Sequence, residues 1–467
     1  MNKPKLLILT ALTVLLTAVA CKKAEPPAPA SAAAAPGVAT PKAISIRLQV
    51  SGDPAEIAAY RALVTAFEKT HPGKTVELIP VGKQKDHMAK LSTAFAGGNP
   101  PDLFILNFRR FGQFAPSGAL APLGEQLIAD GRYQPSEFYE QATEAFNFGG
   151  TQYCLPQNAS SLAVYYNRKL FRDAGVAEPA ADWTFADLLA AAKKLRRDTD
   201  GDGKTDIWGV AIEPTLIRLA PFIWGMKGAL VDDLNRPSLL RIDGGNAVHA
   251  MAMVKALVTD YHVMPGLAES HAEDAEARFA RGGLAMLFES RRYTASLRDL
   301  GSSAPDWDVA AFPRLREPVA VLHADAYCMA TKAAQPDAAR EFVTFALSAE
   351  GQSLLSRSGR LVPSRKSVAT SPAFLDPTLP PAHAQVFLDA IPHLRRTPNT
   401  PGWHEVESTA DTLLEEWMFE PPTPGEAEGV IASSLIAARA IAKAAQPILL
   451  EDLRQATAAP AGTANPK

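Results

Sequence analysis

The sequence is poor in cysteine, with three in 467 residues and none of them in a CxxC motif. Beyond Cys21 the chain has only Cys154 and Cys328, which could pair in an oxidising compartment. Two cysteines so far apart are more often buried separately as small apolar side chains. We therefore expect Cys154 and Cys328 to be unpaired.

The familiar catalytic motifs are also missing. The chain has no G-x-S-x-G elbow and no H-E-x-x-H pair. Residues 201–205, "GDGKT", resemble the end of a phosphate loop, but Asp198 occupies the position that requires the leading glycine. Acidic residues are plentiful, so a glycosidase-like pair of carboxylates stays open.

Acidic and basic residues are present in nearly equal numbers. The 47 basic and 50 acidic residues give a net charge of -3 and are spread along the chain. This composition provides no basic surface for nucleic acid. After the first residues, no apolar stretch is long enough to cross a membrane.

The beginning of the chain has the pattern of an export signal. Lys3 and Lys5 precede an apolar run that ends near Leu16, and small residues lead to Cys21. The pattern resembles a bacterial lipobox, which predicts a signal peptide at 1–20 and a lipid on Cys21. The alternative is an ordinary signal peptide with an incidental cysteine.

Two further segments lack the pattern of a folded domain. The Ala/Pro-rich segment at 21–42 is predicted to be a tether, and the polar segment at 456–467 is predicted to be a disordered tail.

Strand and helix patterns alternate after the tether. "ISIRLQV" (44–50), "TVELIPV" (75–81) and "DLFILN" (102–107) are typical of strands, and helical patterns separate them. This order predicts a parallel sheet covered by helices, with ligands beyond the carboxyl ends of the strands. Those ends are residues 51–53 and 107–110. About 410 residues are too many for one compact core, so we expect two α/β lobes.

One acidic loop has the spacing of a calcium site. In "DTDGDGKTD", four carboxylates stand at the first, third, fifth and ninth places of an EF-hand-type loop: Asp198, Asp200, Asp202 and Asp206. The twelfth place holds Gly209 instead of the usual glutamate. The loop is therefore either a structural calcium site or an acidic turn capped by its own side chains. No other cofactor is expected.

Several segments together resemble the extracellular solute-binding proteins of bacterial ABC sugar importers, the family of maltose-binding protein. They include "KLSTAFAGGNPPDLFILN", "AVYYNRKLFRDAGV", "DWTFADLLAAAKKL" and "EFVTFALSAEGQ". The resemblance implies a two-lobed type II periplasmic-binding-protein fold, each lobe a mostly parallel sheet covered by helices, joined by hinge strands. It places the first lobe at 43–155 plus 319–364 and the second at 156–318 plus 365–455.

The strand ends and the resemblance together predict the ligand contacts, since sugars need planar polar groups and aromatic platforms. The candidates are Ser51, Asp53, Phe108, Arg109, Gln157, Asn158, Trp224, Glu289, Ser290, Arg291, His323, Asp325, Tyr327 and Trp403. Each has a structural alternative: Asp53 as a helix cap, Trp224 and Trp403 as core aromatic residues, and His323 as a hydrogen-bonded structural histidine. The remaining tryptophans, Trp183, Trp208 and Trp307, are assigned to packing.

The pairs Arg109-Arg110 and Arg291-Arg292 would suit an acidic or phosphorylated sugar. The favoured interpretation is that one arginine of each pair binds a carboxylate across the cleft.

The resemblance implies a non-catalytic, monomeric receptor in the cell envelope, bound to the membrane by its lipid. It captures a carbohydrate by hinge closure and delivers it to permease subunits. The alternatives are a surface hydrolase that acts on glycans and a receptor for a non-sugar solute.

Overall fold

The computed structural model describes residues 44–420 and 429–458. The predicted signal peptide, the tether, Cys21 and residues 459–467 lie outside the described residues. Residues 456–458 belong to the last helix, so the prediction of a disordered tail is wrong for these positions.

The elements alternate along the chain, as expected for an α/β protein. The strands are β1 Ile44–Ser51, β2 Lys74–Val81, β3 Leu103–Asn107, β4 Asn147–Phe148, β5 Thr151–Gln152, β6 Leu155–Pro156, β7 Leu162–Asn167, β8 Met286–Ser290, β9 Trp307–Ala310, β10 Ala320–Val321, β11 Asp325–Met329 and β12 Leu394–Arg395. The helices are α1 Pro54–Thr70, α2 Gln84–Ala96, α3 Phe108–Phe111, α4 Leu123–Ala129, α5 Glu140–Glu144, α6 Arg168–Asp173, α7 Phe185–Leu195, α8 Leu216–Gly225, α9 Gly245–Thr259, α10 Leu267–Ala272, α11 Ala275–Ala280, α12 Arg292–Asp299, α13 Pro336–Ala346, α14 Ala349–Arg357, α15 Lys366–Ala369, α16 Val386–Asp389, α17 Trp403–Phe419 and α18 Val430–Ala458.

The first lobe is built on a five-stranded sheet in the order β2-β1-β3-β11-β6. β1 lies parallel to β2 and β3, as the alternating strand and helix patterns predict, and β11 lies antiparallel to β3 and β6. Apolar side chains of α1, α13 and α14 pack on one face of the sheet, and those of α2 and α3 on the other. The carboxyl ends of β1 and β3 therefore lie at one edge.

The second lobe contains a three-stranded sheet in the order β8-β7-β9. Here β7 is antiparallel to both neighbours, which differs from the expected mostly parallel sheet. The neighbours of β7 come from distant parts of the chain, so no single crossover helix fixes a parallel direction. Helices α8, α9, α17 and α18 bury their apolar faces in one core with this sheet.

Three chain segments cross between the sheets and hydrogen-bond to one another. Residues 157–161 lead from β6 to β7, residues 322–324 lead into β11, and residues 359–365 follow α14. Ser160 and His323 exchange backbone hydrogen bonds of 2.8 and 2.9 Å, and Ala159 donates to the Val362 carbonyl at 3.0 Å. These segments form the hinge. The exact lobe boundaries stay a prediction.

The two later cysteines form a disulfide, so the expectation that they stay unpaired is wrong. The Cys154 and Cys328 sulfurs are 2.04 Å apart, and both side chains are fully buried. β6 and β11 pair antiparallel with Tyr327 opposite Leu155, and this register brings the cysteines face to face. The pairing depends on strand register across 174 residues, which local patterns do not contain.

In the described ranges, no helix combines the length and the apolar character needed to cross a bilayer. Trp183, Trp208 and Trp307 are buried in the cores, which confirms their assignment to packing.

Candidate functional site

The end of β1 is held by contacts within the first lobe. The Ser51 hydroxyl donates to Gln84 Oε1 at 2.8 Å. Asp53 is the N-cap of α1, where its Oδ1 accepts from the Glu56 amide at 2.9 Å, and it also pairs with Arg360. Asp53 therefore caps its helix, which is the structural alternative to a ligand contact. The side chains of Ser51 and Asp53 both have partners within the protein.

The end of β3 contacts the second lobe. Asn107 caps the short helix α3, and its Oδ1 accepts from the Arg109 amide at 3.2 Å. This turn aims Arg109 at α17, where its Nη1 lies 3.2 Å from Glu407 Oε2. The Glu407 side chain is only 4% exposed, while that of Arg109 is 31% exposed. An arginine at a strand end of the first lobe thus pairs with a buried carboxylate of the second.

The backbones of the two lobes also approach closely beside this ion pair. Gly112 ends α3, and a Cβ built on it would lie 1.7 Å from the carbonyl oxygen of Asn399. Any larger residue at position 112 would therefore force the lobes apart at this point.

A polar network joins β3 to the hinge. Asn107 Nδ2 donates to Asp325 Oδ1 at 3.0 Å, and Asn158 Nδ2 donates to Asp325 Oδ2 at 3.1 Å. Gln157 is buried and hydrogen-bonds the Tyr60 hydroxyl of α1. Gln157, Asn158 and Asp325 therefore hold the crossing segments in register, and only Asp325 is partly exposed.

His323 and Ser161 have polar atoms that are shielded from solvent and have no hydrogen-bond partner among the described residues. These atoms are His323 Nε2 and Ser161 Oγ. Burial lowers the pKa of His323 to about 3, and Arg109 and Arg218 act in the same direction. The imidazole is therefore neutral at pH 7 and can donate or accept one hydrogen bond at each nitrogen.

The second lobe contributes a carboxylate held by arginines. Glu289 pairs with Arg218 and lies 3.8 Å from Arg292, and its Oε1 accepts from the Ser290 hydroxyl at 2.8 Å. Burial acts to raise the pKa of Glu289, but the two arginines more than offset it and lower the pKa to about 2. Glu289 is therefore a permanently ionised group beside the hinge.

A cavity of about 410 Å³ lies between α3 and α17, within the range of about 300–1,000 Å³ usual for small-molecule sites. Its lining includes Arg109, Arg110, Thr215, Glu407 and Asp411. Burial raises the pKa of Asp411 to about 6, although its Oδ1 accepts from the Leu216 amide at 2.7 Å. This cavity joins the strand ends of the first lobe to α8 and α17 of the second.

A larger cavity of about 760 Å³ lies elsewhere, between α1 and α12. Alanine, leucine and proline side chains make up most of its lining. Neither this cavity nor a still larger one of about 1730 Å³, whose lining includes Gln113, Asn147 and Asn399, holds any strand-end or hinge residue, so we place the candidate site at the cavity between α3 and α17.

Three of the predicted aromatic platforms do not line this cavity, and their contact with a ligand stays a prediction. Phe108, Trp224 and Tyr327 are buried in hydrophobic cores, because each projects from its helix or strand toward the packed face. Trp403 is also fully buried, but its indole N–H has no partner in the described ranges and remains a candidate donor.

Arg291 does not line this cavity either, and its contact with a ligand stays a prediction. Its guanidinium is buried between the rings of Phe374 and Phe387, and its Nε donates to the Gly359 carbonyl at 2.8 Å. Burial lowers the pKa of Arg291 to about 9. The neighbouring Arg292 pairs with Glu276 of its own lobe, so this pair makes no cleft-spanning contact of the expected kind.

Three of the four loop aspartates come together. Oxygens of Asp198, Asp200 and Asp206 lie within 4.8 Å of one another, and Asp202 is not part of the group. Asp198 also accepts from the Gly201 and Gly203 amides at 2.7 and 2.9 Å, as in a self-capped turn. Calcium binding stays a prediction, which calorimetric titration with Ca²⁺ tests.

Sequence reasoning missed Ser161, Thr215, Arg218, Glu407 and Asp411. Arg218 gave a usable signal, because it is the only charged residue of the apolar helix α8. Glu407 and Asp411 are one helical turn apart on α17, but nothing in the local pattern separates them from ordinary surface acids. Their importance follows only from the contact of α17 with α3.

The family model for bacterial extracellular solute-binding proteins matches residues 51–353, which is more than half of the chain. The chain belongs to this family. Solute-binding proteins of this family act outside the cytoplasm, so the chain is an exported protein of the cell envelope.

Other comparisons agree with this membership. A binding protein of Brucella abortus is 25% identical over 390 residues, which cover 81% of this chain and 88% of the relative. An ABC substrate-binding protein of Listeria monocytogenes, solved with cycloalternan, has a TM-score of 0.74 at 24% identity and covers 86% of this chain and 98% of its own. A solute-binding protein of Thermotoga lettingae, solved with α-D-tagatose, has a TM-score of 0.72 at 20% identity and covers 87% and 100%. These structures confirm the two-lobed fold.

Proposed function

We propose that the chain is the substrate-binding component of an ABC transporter and captures a carbohydrate between its two lobes. The observation that carries the proposal is the set of polar atoms without partners, among the described residues, at the hinge and at α17: Ser161 Oγ, His323 Nε2 and Glu407 Oε1. Buried polar atoms are normally hydrogen-bonded. A solute with several hydroxyl groups provides donors and acceptors for all three.

The related structures support a sugar as the solute. The Listeria protein binds cycloalternan and the Thermotoga protein binds tagatose, and both have the fold of this chain. We infer the same class of ligand here because hydroxyl groups suit the neutral and charged polar groups around the cavity.

We infer hinge closure because these groups lie on the hinge segments and on the second lobe. A solute that contacts Ser161 and His323 at the hinge and Glu407 on α17 binds the closed form more tightly than the open form. The ligand shifts the equilibrium only by this difference in affinity. The closed form then docks on the permease and releases the solute unaltered.

A saccharide panel monitored by thermal shift tests the proposal. Binding to the folded state raises Tm as ligand concentration exceeds Kd. We expect a rise for at least one saccharide and a weaker rise in His323→Ala. The matched control is His249→Ala, because His249 is exposed on α9. If no saccharide raises Tm, the proposed ligand class is wrong.

We also propose that Cys21 bears the lipid that holds the protein at the membrane. Two membrane signals are generally needed for stable anchoring, and a diacylglyceryl group supplies two chains. Cys21→Ala should move the protein from the membrane fraction to the soluble envelope fraction. An unchanged membrane fraction would contradict the anchor without affecting the binding function.

A further inference from the structure

The guanidinium of Arg291 is fully buried, and two of its three nitrogens have no acceptor. Its Nε donates to the Gly359 carbonyl at 2.8 Å. Its Nη1 and Nη2 atoms are shielded from solvent and have no hydrogen-bond partner among the described residues. Buried polar atoms are normally hydrogen-bonded. The Nη edge of Arg291 therefore indicates an acceptor that the described part of the chain does not provide.

Other buried cations of this fold are bonded through their terminal nitrogens. Lys255 is about as buried as Arg291, and its Nζ donates to the Trp417 carbonyl at 2.5 Å. The buried Arg278 donates from Nη2 to the Glu269 carbonyl at 2.5 Å. The fold thus supplies acceptors where it buries these two cations, and Arg291 differs from both.

Positive charge accumulates around Arg291. Among the described residues, the titratable groups that act on its pKa are Tyr165, a phenol whose own pKa is raised by burial, and Arg298, a second cation. Arg291 is also the N-cap of α12, at the positive end of the helix dipole. Burial lowers the pKa of Arg291 only to about 9, so the group is a cation at neutral pH. No carboxylate of the described ranges balances this charge.

Neither the neighbouring rings nor a water molecule compensates the charge fully. The guanidinium carbon lies over the rings of Phe374 and Phe387, 4.7 and 5.2 Å from their centroids. The attraction of a cation to such rings is weaker than the penalty for burying an unpaired ion. A water molecule would accept hydrogen bonds from Nη1 and Nη2 but would leave the charge unbalanced. An anion would accept the same hydrogen bonds and balance the charge.

We propose that Arg291 binds a small monovalent anion, such as chloride, through Nη1 and Nη2. Sulfate and phosphate are poor ligands here, because a divalent anion costs more to bury than a monovalent one. The site is separate from the cavity between α3 and α17, whose lining does not include Arg291. The inference goes beyond the proposed function, since the ligand is an inorganic ion and not the transported solute.

The anion would act on the third crossing segment. The Gly359 carbonyl, which Arg291 holds through Nε, lies at the start of this segment, residues 359–365. Gly359 has a φ of +80°, and a Cβ built on it would lie 2.6 Å from Arg298 Nη1. Two arginines of the second lobe therefore contact the same glycine. An anion that fixes the Arg291 guanidinium fixes one of the places where the second lobe holds the hinge.

Thermal unfolding at constant ionic strength tests the inference, with sodium chloride replacing sodium gluconate. We expect a saturable rise in Tm for wild type, because an ion that binds the folded state stabilises it. Arg291→Met removes the guanidinium but keeps a long apolar side chain beside the rings, so the rise should disappear. Arg357→Met, at an exposed arginine near the end of α14, is the control and should keep the rise. No rise in wild type, or an equal rise in Arg291→Met, overturns the inference.

A crystal structure of wild type with bromide in place of chloride gives a second test, which holds even if Arg291→Met does not fold. We expect an anomalous bromide peak within hydrogen-bond distance of Nη1 and Nη2. A water molecule at this position overturns the inference. So does a peak that requires high bromide concentration and is accompanied by no rise in Tm, which would mean an adventitious ion only. Neither test involves a saccharide, so failure here leaves the proposed function intact.

Discussion

Arg109 of α3 and Glu407 of α17 form an ion pair of 3.2 Å that joins the first lobe to the second. The two residues are 298 positions apart in the chain. Because Glu407 is almost fully buried, its charge depends on Arg109 for compensation, and the pair couples the strand end of one lobe to the helix of the other.

Arg109→Gln should lower the free energy of unfolding by about 1–3 kcal/mol, because it leaves the Glu407 carboxylate buried without its cation. The combined variant Arg109→Gln/Glu407→Gln should lose less than the sum of the single variants, with a coupling of about 0.5–3 kcal/mol. Urea unfolding measures these values. Arg61→Gln, on the exposed face of α1, is the control. Additive single effects would show that the pair contributes no coupling.

The stability of the protein should depend on pH through His323. Burial lowers the pKa of this imidazole from its ordinary value of 6.5 to about 3 in the folded protein, so the unfolded chain binds more protons between these two values. The stability contributed by neutral His323 is therefore complete above about pH 6.5. It is lost as the pH falls toward 3, by about 1.4 kcal/mol for each pH unit in that interval.

His323→Gln should consequently reduce the loss of unfolding free energy between pH 7 and pH 5. The charged groups that act on this imidazole are Arg109, Arg218, Glu289 and Arg292, and none of them changes in the variant. His249→Gln, on the surface of α9, should keep the wild-type slope. A His323→Gln protein with the wild-type slope would rule out the proposed role of its burial.

The disulfide between Cys154 and Cys328 should stabilise the first lobe. It closes a loop with a sequence separation of 174 residues, and disulfides typically contribute about 2–4 kcal/mol. Cys154→Ala/Cys328→Ala should therefore unfold at lower urea concentration than the oxidised wild type. Reductant should not change the stability of this variant, whereas full reduction should lower the free energy of unfolding of the wild type by a comparable amount. Equal midpoints for oxidised and reduced wild type would contradict this expectation.

Asp53 should act through two separable contacts, the cap of α1 and the pair with Arg360. Asp53→Asn retains a capping oxygen but removes the charge, while Asp53→Ala removes both. Loss of an N-cap costs about 0.5–2 kcal/mol. We expect Asp53→Ala to be the less stable variant by about 1 kcal/mol. Equal losses in thermal unfolding would mean that the cap contributes nothing beyond the ion pair.

Local patterns predicted the elements around the first strand ends. The alternation in β1 and the cap at Asp53 depend on neighbours within a few positions, and the structure confirms both of them. The family resemblance extended this to two lobes and a hinge, because it carries long-range information that periodicity lacks.

The chemistry of the site was less predictable, because it depends on which face of an element is packed. Arg291 and Phe108 follow strand ends as expected, but their side chains turn into the cores. Arg218 and Glu407 reach the site from helices that the strand-end rule does not consider. The disulfide and the antiparallel β7 likewise depend on pairing between distant segments.

Native mass spectrometry of the protein after long incubation with a mixture of saccharides tests the central claim most directly. A receptor that holds a sugar between its lobes predicts a one-to-one complex whose added mass is that of an intact saccharide, with weaker occupancy in His323→Ala. The absence of any saccharide complex, or the appearance of shortened saccharides in the mixture, would contradict the account.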